Sequence, residues 1–274
     1  MIPAKFDYEL AGSVEHALEL LRSREDAKLL AGGHSLLPLM RLRFAAPSLL
    51  VDIGRLRHLS YVRDDGDRIA IGALTRYHDL ERDELLRREC AIVAHASGLV
   101  GDPQVRHLGT IGGSVAHGDP ASDLPTVLLA LGSEFVVRGP QAERTIGSAD
   151  FFRGVFETAL EPQEVLTEIR VPKVGASGWS YRKFSRRAQD WAIVGVAALA
   201  RPNGSRAAVA LTNMGPTPVR AVAVERALAE GASAAEAAQA AAEGTSPASD
   251  PNGSPEYRQH LAQVLVRRAL EEAL

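Results

Sequence analysis

Apolar positions near the start of the chain recur at helical spacing. After Ser13, apolar residues stand at i, i+3, i+4 and i+7 between Val14 and Leu21. This pattern is typical of a helix with one buried face, and serine is a preferred residue at a helix N-cap. The sequence therefore predicts an amphipathic helix that begins after Ser13 and ends near Arg24.

Short apolar runs bounded by glycine, proline or acidic residues predict strands farther along the chain. The predicted strands cover residues 28–31, 49–53, 68–72, 133–138, 164–171, 179–186, 191–200 and 206–212. Helices are predicted over residues 77–83, 84–97, 123–131, 219–230 and 233–243, and from Pro255 onward. The glycine-containing segment 101–113 is predicted to be a loop.

The order of these elements shows no regular β-α-β-α alternation, which favours an α+β fold over a doubly wound parallel sheet. One boundary is predicted near Arg55, where a strand ends in a glycine turn. A second is predicted in residues 172–177, which contain proline and glycine. The predicted units are therefore residues 1–55, 56–174 and 175–274.

Composition narrows the class of protein. The 274 residues are 46% hydrophobic and 24% charged, and 31 basic against 34 acidic residues give a net charge of −3. These proportions exclude a disordered chain and a collagen-like fibre, and the charge argues against a nucleic-acid partner. The single cysteine, Cys90, excludes an internal disulfide and a cysteine-ligated iron–sulfur cluster, and it is expected to be a buried, inert thiol.

The beginning of the chain has a proline and acidic residues where a signal peptide would need an apolar core. No apolar stretch approaches the roughly 20 residues that span a bilayer. We therefore expect a soluble, cytoplasmic protein without a transmembrane segment.

Two glycine pairs, each beside a hydroxyl side chain, are the strongest candidates for a binding site. Gly32-Gly33 follows a predicted strand and precedes Ser35, and Gly112-Gly113 lies between Thr110 and Ser114. Glycine permits positive φ and close approach, so consecutive backbone N–H groups can form an anion-binding concavity. Two such concavities could bind the diphosphate of a dinucleotide from both sides.

Neither segment has the G-x-G-x-x-G spacing of a Rossmann turn, and the chain contains no G-x-x-x-x-G-K-[ST] phosphate loop. The alternative for each pair is a tight turn without a ligand, which is the commoner role of a single glycine pair.

Three other positions have a functional and a structural interpretation. Lys183 shares a strand face with Tyr181, where its charge could neutralise a phosphate or an electron-rich ring, or could be solvated. Trp191 could stack on a planar cofactor or pack in a core. Asp123 could face a ribose or another hydroxyl, or could be a helix N-cap, for which Ser122 is the other candidate.

The sequence contains no candidate catalytic residues and no metal site. The spacing of His117, Asp119 and Asp123 matches no standard metal site. A nucleophile elbow, a Ser-His-Asp arrangement and a carboxylate pair are missing as well. Binding loops without acid–base groups indicate that a bound cofactor carries the chemistry.

Taken together, the segments 31–35 and 110–114 resemble the FAD-binding medium subunits of molybdenum hydroxylases, the group of aerobic carbon monoxide dehydrogenase and xanthine dehydrogenase. The resemblance extends over essentially the whole chain. It includes Gly-Asp-Pro-Gln-Val-Arg at 101–106, Gly-Asp-Pro-Ala-Ser-Asp at 118–123, Pro-Ala-Ser-Asp at 247–250 and Glu-Tyr-Arg at 256–258.

The resemblance implies a vanillyl-alcohol-oxidase-type (PCMH-type) fold, in which two α+β subdomains, 1–55 and 56–174, bind FAD. A C-terminal α+β domain with a small antiparallel sheet, 175–274, covers it. Asp123 would contact a hydroxyl region of FAD, Leu166 and Lys183 would lie beside the flavin, and Trp191 would replace a tyrosine near the isoalloxazine ring. Ser114 stands where asparagine is commonest. The implied diphosphate-binding residues are Leu30, Ala31, Gly32, Gly33, His34, Ser35, Leu36, Thr110, Ile111, Gly112, Gly113 and Ser114.

The implied function is an electron relay within a heterohexameric complex. A small subunit with two [2Fe–2S] clusters would pass electrons to FAD, after a molybdopterin-containing large subunit has oxidised the substrate. FAD would then reduce a quinone or another small-molecule acceptor. Two alternatives stay open: a self-contained flavin oxidase or reductase, and a non-catalytic, phosphate-binding subunit. The sequence leaves the substrate open among carbon monoxide, a purine, another heterocycle and an aldehyde.

Overall fold

The computed structural model describes residues 2–175, 177–200 and 207–274. Its first unit is a three-stranded parallel sheet of strand order β1-β3-β2 with two helices. Helix α1 begins after Ser13, whose Oγ accepts from the N–H of His16 at 3.1 Å, as predicted. The elements are β1 (Asp7–Leu10), α1 (Val14–Ser23), β2 (Lys28–Leu30), α2 (Leu36–Arg41) and β3 (Leu49–Asp52).

Two elements of this unit, β1 and α2, are not predicted by the sequence pattern, and neither is the parallel β-α-β order of the unit. All four residues of β1 are exposed, so the strand has no apolar alternation. Helix α2 is one of the shorter helices and contains Pro38, a residue that normally argues against a helix interior. The α+β class nevertheless holds for the whole chain because the other sheets are antiparallel.

The second unit is a five-stranded antiparallel sheet of order β4-β5-β10-β6-β7, covered on one face by helices. Its sheet strands are β4 (Val62–Asp65), β5 (Arg68–Gly72), β6 (Glu134–Arg138), β7 (Glu143–Gly147) and β10 (Val165–Pro172). A hairpin of β8 (Phe152–Gly154) and β9 (Glu157–Thr158) stands apart from that sheet. The helices are α3 (Tyr77–Arg82), α4 (Glu84–Glu89), α5 (Ala91–Gly98), α6 (Pro103–Leu108), α7 (Ile111–His117), α8 (Asp123–Leu131) and α9 (Ser148–Phe151), and a 3-10 turn covers Arg57–Leu59.

Two sequence predictions are wrong in this unit. The predicted loop 101–113 contains α6 and the first turn of α7, which are capped by Asp102 and Thr110. The predicted helix 84–97 is two helices, because Cys90 between them has φ of −153° and ψ of 57°. Cys90 is buried, as expected, and burial raises the pKa of its thiol to about 12.

The third unit is a four-stranded antiparallel sheet, β11-β12-β13-β14, followed by helices. Its elements are β11 (Trp179–Phe184), β12 (Val194–Ala200), β13 (Ala207–Thr212), β14 (Val219–Arg220), α10 (Val222–Ala229), α11 (Ala234–Ala237), a 3-10 segment (Ala238–Ala242) and α12 (Pro255–Ala273). Pro255 begins the last helix, as predicted. The predicted helix 219–230 begins as a short strand, and Arg206 of the predicted strand 206–212 lies outside the described residues.

Strand β12 is buried along its whole length, since its sheet packs on both faces. One face belongs to the core of the second unit and contacts α8, which is itself buried at every residue. The other face packs against α10 and α12. Side chains that point from β11 toward α8 are therefore enclosed between two units. None of the helices in the described ranges is long and apolar enough to cross a membrane.

Candidate functional site

The segment after β2 presents a row of unpaired backbone donors. The N–H groups of Gly32, Gly33, His34 and Ser35 have no hydrogen-bond acceptor in the described part of the chain. Gly33 has φ of +74°, a conformation that side chains disfavour, and this turns the chain between β2 and α2. Ser35 is the N-cap residue of α2, but its hydroxyl makes no capping bond. The segment therefore offers N–H groups and a hydroxyl to an anion.

The second glycine segment is built differently, and the prediction of a second row of free N–H groups is wrong. The N–H of Ile111 donates to Thr75 O, that of Gly112 to Ala73 O, and those of Gly113 and Ser114 to Thr110, at 2.9–3.1 Å. A Cβ on Gly112 would lie 2.5 Å from Ala73 O. The glycine at 112 is therefore needed for close packing, and the half-buried Ser114 hydroxyl is the group this segment can offer.

The structure brings the two segments side by side. A Cβ on Gly32 would lie 2.3 Å from Leu108 O and 2.9 Å from the Cα of Gly109, which directly precedes Thr110. The guanidinium of Arg76 also donates to Leu108 O and so fixes the turn. Glycine is required at position 32 because two backbones meet there. Segments that are almost 80 positions apart in the sequence thus form one surface.

A buried polar cluster joins α8 to strand β11. One oxygen of Asp123 (Oδ1) accepts from the Tyr181 hydroxyl at 2.6 Å, and the other (Oδ2) accepts from Lys183 Nζ at 2.9 Å. Lys183 also donates to Leu99 O at 3.1 Å. The side chains of Asp123 and Lys183 are 4% and 7% exposed, so solvent does not screen their interaction.

Burial is the largest cause of the pKa shifts of Asp123 and Tyr181 in this cluster. It raises the pKa of the Asp123 carboxyl, an effect that the charge of Lys183 opposes. Burial and the nearby Asp123 charge raise the pKa of the Tyr181 hydroxyl well above its ordinary value, so Tyr181 stays a donor. The cluster continues from Tyr181 toward the hydroxyls of Thr212 and Thr126, which lie 2.8 Å apart.

Asp123 uses both carboxylate oxygens for donors of its own chain, so its contact with a cofactor hydroxyl stays a prediction. What the structure shows is that Asp123 holds Lys183 in place. Sequence reasoning placed Tyr181 and Lys183 on one strand face, which the burial of both side chains confirms. It missed Tyr181 as a partner of Asp123, although that shared face was the available signal.

Leu166 lies in the core of the second unit at 6% exposure. It directly precedes an irregularity in β10 at Thr167, whose carbonyl accepts from Ala73 N–H at 2.9 Å. Since Ala73 O in turn accepts from Gly112 N–H, this backbone connects Leu166 to the second glycine segment.

Trp191 lies in the loop between β11 and β12 and is 59% exposed. The predicted strand 191–200 was wrong at its start, because β12 begins at Val194. The indole ring is therefore outside the core, which removes the packing interpretation of Trp191.

The remaining candidates have simpler positions. His34 is exposed, whereas Leu30, Ala31 and Leu36 are half-buried around the first segment. His117 is half-buried, with its ring 4.8 Å from that of Phe156. Within the described ranges, no three His, Cys, Asp or Glu side chains are grouped so that they could hold a metal ion.

Two protein-family models match successive parts of the chain. Residues 4–174 match the family described as the FAD binding domain in molybdopterin dehydrogenase. Residues 179–273 match the CO dehydrogenase flavoprotein C-terminal domain.

Individual proteins match over nearly their full length. The carbon monoxide dehydrogenase medium chain of Hydrogenophaga pseudoflava is 43% identical, with 100% of this chain and 98% of the relative covered. A solved structure of carbon monoxide dehydrogenase from that organism, which lacks the Mo-pyranopterin moiety of the molybdenum cofactor, has a TM-score of 0.96 at 44% identity, covering 100% of this chain and 98% of that one. Quinoline 2-oxidoreductase from Pseudomonas putida 86 has a TM-score of 0.93 at 30% identity, with the same coverage.

Proposed function

The chain belongs to the family of FAD-binding medium subunits of molybdopterin dehydrogenases, represented by carbon monoxide dehydrogenase medium chains, and from this premise we propose that it relays electrons. Its cofactor is FAD, and it is a subunit of a carbon monoxide dehydrogenase-type oxidoreductase complex. The family resemblance, the α+β flavoprotein fold and the cofactor predicted from the sequence are thereby confirmed. The proposed relay runs from iron–sulfur clusters of a small partner subunit to an external acceptor.

The row of free N–H groups at residues 32–35 carries the assignment of a diphosphate site. A diphosphate needs several donors without competing acceptors, and these four groups have none in the described residues. The positive φ of Gly33 and the close approach at Gly32 hold this row beside the second segment. These residues therefore fit the diphosphate of FAD, with the hydroxyls of Ser35 and Ser114 as additional donors.

The remaining site residues orient the ring system in this proposal. Leu166 supplies an apolar contact, Lys183 a fixed positive charge, and Trp191 an exposed aromatic face. Asp123 and the Leu99 carbonyl hold Lys183, so its ammonium stays in one position. Bound FAD supplies redox chemistry in one- and two-electron steps, which the side chains of this chain cannot provide.

The partners in this proposal are a molybdopterin-containing large subunit and a small subunit with two [2Fe–2S] clusters, in a heterohexamer. With one cysteine in its sequence, the chain cannot ligate such clusters itself. The large subunit would select the substrate, which agrees with similar chains belonging to enzymes named for carbon monoxide and for quinoline. The acceptor would be a quinone or another small molecule.

Re-oxidation of the assembled complex tests the relay without knowledge of the substrate. The complex is reduced with one equivalent of dithionite per redox centre and mixed with a water-soluble benzoquinone, while the iron–sulfur absorption is followed. A complex built with FAD-free Gly33→Val chain serves for comparison. We expect the clusters to re-oxidise at least roughly tenfold faster when FAD is present, because electrons then have a path to the acceptor.

Equal rates with and without FAD would overturn the relay. Turnover of a small substrate by the isolated FAD-loaded chain would favour a self-contained oxidase instead. A wild-type chain that assembles with the large subunit yet never takes up flavin would favour a non-catalytic subunit.

A further inference from the structure

Arg258 has the largest of the fully buried side chains in the described residues, although it carries a full charge. It lies in the first turns of α12 and is 1% exposed. Its Nη1 donates to Ile193 O at 2.5 Å, and its Nη2 lies 2.7 Å from Asp250 Oδ2. Its Nε is buried without a partner in the described part of the chain.

The side chain of Asn213 makes a similar contact with the carbonyl of Ala192, the residue directly before Ile193. Asn213 follows β13 with φ of +61°, and its side-chain amide donates to Ala192 O at 2.8 Å. Its own N–H donates to Pro120 O at 2.8 Å, which connects it to the turn before α8. The carbonyls of two successive residues are therefore held by side chains from two different parts of the chain, α12 and the segment after β13.

These two carbonyls belong to the residues directly after Trp191. The loop 185–193 joins β11 to β12, and most of it before Ala192 is exposed. Its end is held by Arg258, by Asn213, and by the N–H of Ile193, which donates to Phe184 O at 2.8 Å. An exposed indole thus stands directly before a rigid anchor.

Packing alone does not explain an arginine at position 258. A buried guanidinium loses its hydration, and apolar residues of similar volume often serve a core at least as well. Arg258 nevertheless keeps a buried charge, and its Nε has no partner in the described residues. Its shortest hydrogen bond goes to the loop carbonyl of Ile193. Such a group is best explained by the geometry that it enforces.

We propose that Arg258 and Asn213 are positioning residues that hold the Ala192–Ile193 backbone and thereby fix Trp191 over the flavin. The anchoring of the Ala192–Ile193 backbone concerns this chain alone, whereas the placement of Trp191 over the flavin rests on the proposed function. Arg258 acts from α12, and Asp250 orients its guanidinium. The position of Trp191 is thus set by residues that do not touch the cofactor themselves.

Tryptic cleavage between Arg186 and Arg187 measures the anchoring directly, because both arginines lie in this loop. The full-length FAD-free chain is compared with Arg258→Met and with Asn213→Gly, which keeps the positive φ while removing the amide. Arg267→Met on the same helix, whose side chain is about half exposed, is the matched control. We expect cleavage to accelerate about tenfold in the first two variants, the effect of losing one strong hydrogen bond on local opening.

Arg258→Lys should restore slow cleavage in part, since lysine keeps a charged donor. If Arg258→Met fails to fold, Asn213→Gly still decides the question, because glycine adopts the positive φ of this position without strain. Unchanged cleavage in the folded variants, with at most a lower melting temperature, would overturn the proposal and leave the proposed function intact.

Fluorescence tests the connection to the flavin. In a Trp179→Phe background Trp191 is the remaining tryptophan, so its quenching by bound FAD reports its distance from the ring. We expect Asn213→Gly and Arg258→Met to keep stoichiometric FAD while losing at least about half of this quenching. Full quenching in both variants would overturn the role in positioning. A wild-type chain without any FAD binding would overturn the proposed function instead, and the cleavage result would still stand.

Discussion

Lys183 Nζ lies 2.9 Å from Asp123 Oδ2, and both side chains are less than a tenth exposed. The pair links the C-terminal sheet to helix α8 of the preceding unit. In a buried pair the loss of hydration offsets much of the attraction, but either partner alone would be a buried unpaired charge. Replacing Asp123 or Lys183 alone should therefore destabilise the fold more than replacing both.

A double-mutant cycle on this pair tests that dependence. We expect Asp123→Leu and Lys183→Met each to lower the free energy of unfolding of the FAD-free chain by about 3–5 kcal/mol. The double variant should regain most of the loss, because neither charge is then left alone. Urea unfolding measures all four proteins, and strictly additive losses would show that the two groups are independent.

Tyr181→Phe removes the hydroxyl that donates to Asp123 Oδ1. We expect a loss of about 1–3 kcal/mol in unfolding free energy, because a buried carboxylate oxygen is left without its donor. Tyr8→Phe is the control: its hydroxyl also donates to a carboxylate, on Asp52, but Tyr8 is half exposed. An equal loss of unfolding free energy in Tyr8→Phe and Tyr181→Phe would contradict the role given to burial.

Gly112→Ala should damage the fold more than alanine at another helical glycine. A Cβ at position 112 meets the backbone of Ala73 at 2.5 Å, whereas a Cβ at Gly98 meets Glu81 Cγ at 3.4 Å. We expect a loss of about 2 kcal/mol or more for Gly112→Ala and under about 1 kcal/mol for Gly98→Ala. Thermal unfolding of the two variants, side by side, checks this difference.

The half-buried His117 should make stability depend on pH. Burial lowers the pKa of its imidazole below the ordinary 6.5, an effect that the charge of Asp119 partly opposes. As pH falls below 6.5, the unfolded chain therefore binds a proton before the folded chain does, and stability decreases. We expect His117→Leu to lose less unfolding free energy between pH 7.5 and 5.5 than wild type does. The difference should be smaller than the free energy linked to the uptake of one whole proton on unfolding. Identical pH dependence would assign the loss to other groups.

Some helix starts could be predicted from the sequence because a local rule decides them. Ser13 and Pro255 mark helix starts because capping and the missing N–H of proline act within one turn. The predicted start of strand β12, at Trp191, was three residues too early, because the apolar run of the strand begins in the preceding loop. Strand β1, which is exposed at every position, is defined only by its pairing with β3, and no local pattern reveals such pairing.

In the candidate site too, locally determined features could be predicted, whereas those set by tertiary contacts could not. Gly32 and Gly33 could be identified because a glycine pair after a strand is a local signal. The different role of Gly112 could not, since it depends on Ala73, almost 40 positions away. The anchoring of Ile193 by Arg258 spans 65 positions and belongs to the tertiary fold alone.

Binding of FAD and of riboflavin to the full chain tests whether residues 32–35 bind the diphosphate, since the two ligands share the ring system and differ in the diphosphate and adenosine. We predict that wild type binds FAD at least about a hundredfold more tightly than riboflavin, and that Gly33→Ala loses about tenfold or more of this preference. Gly66→Ala is the control, because Gly66 has a similar φ of +76° but open space around it, in the β4–β5 turn. A preference for FAD that is equal in wild type, Gly33→Ala and Gly66→Ala would contradict the assignment of residues 32–35 to the diphosphate.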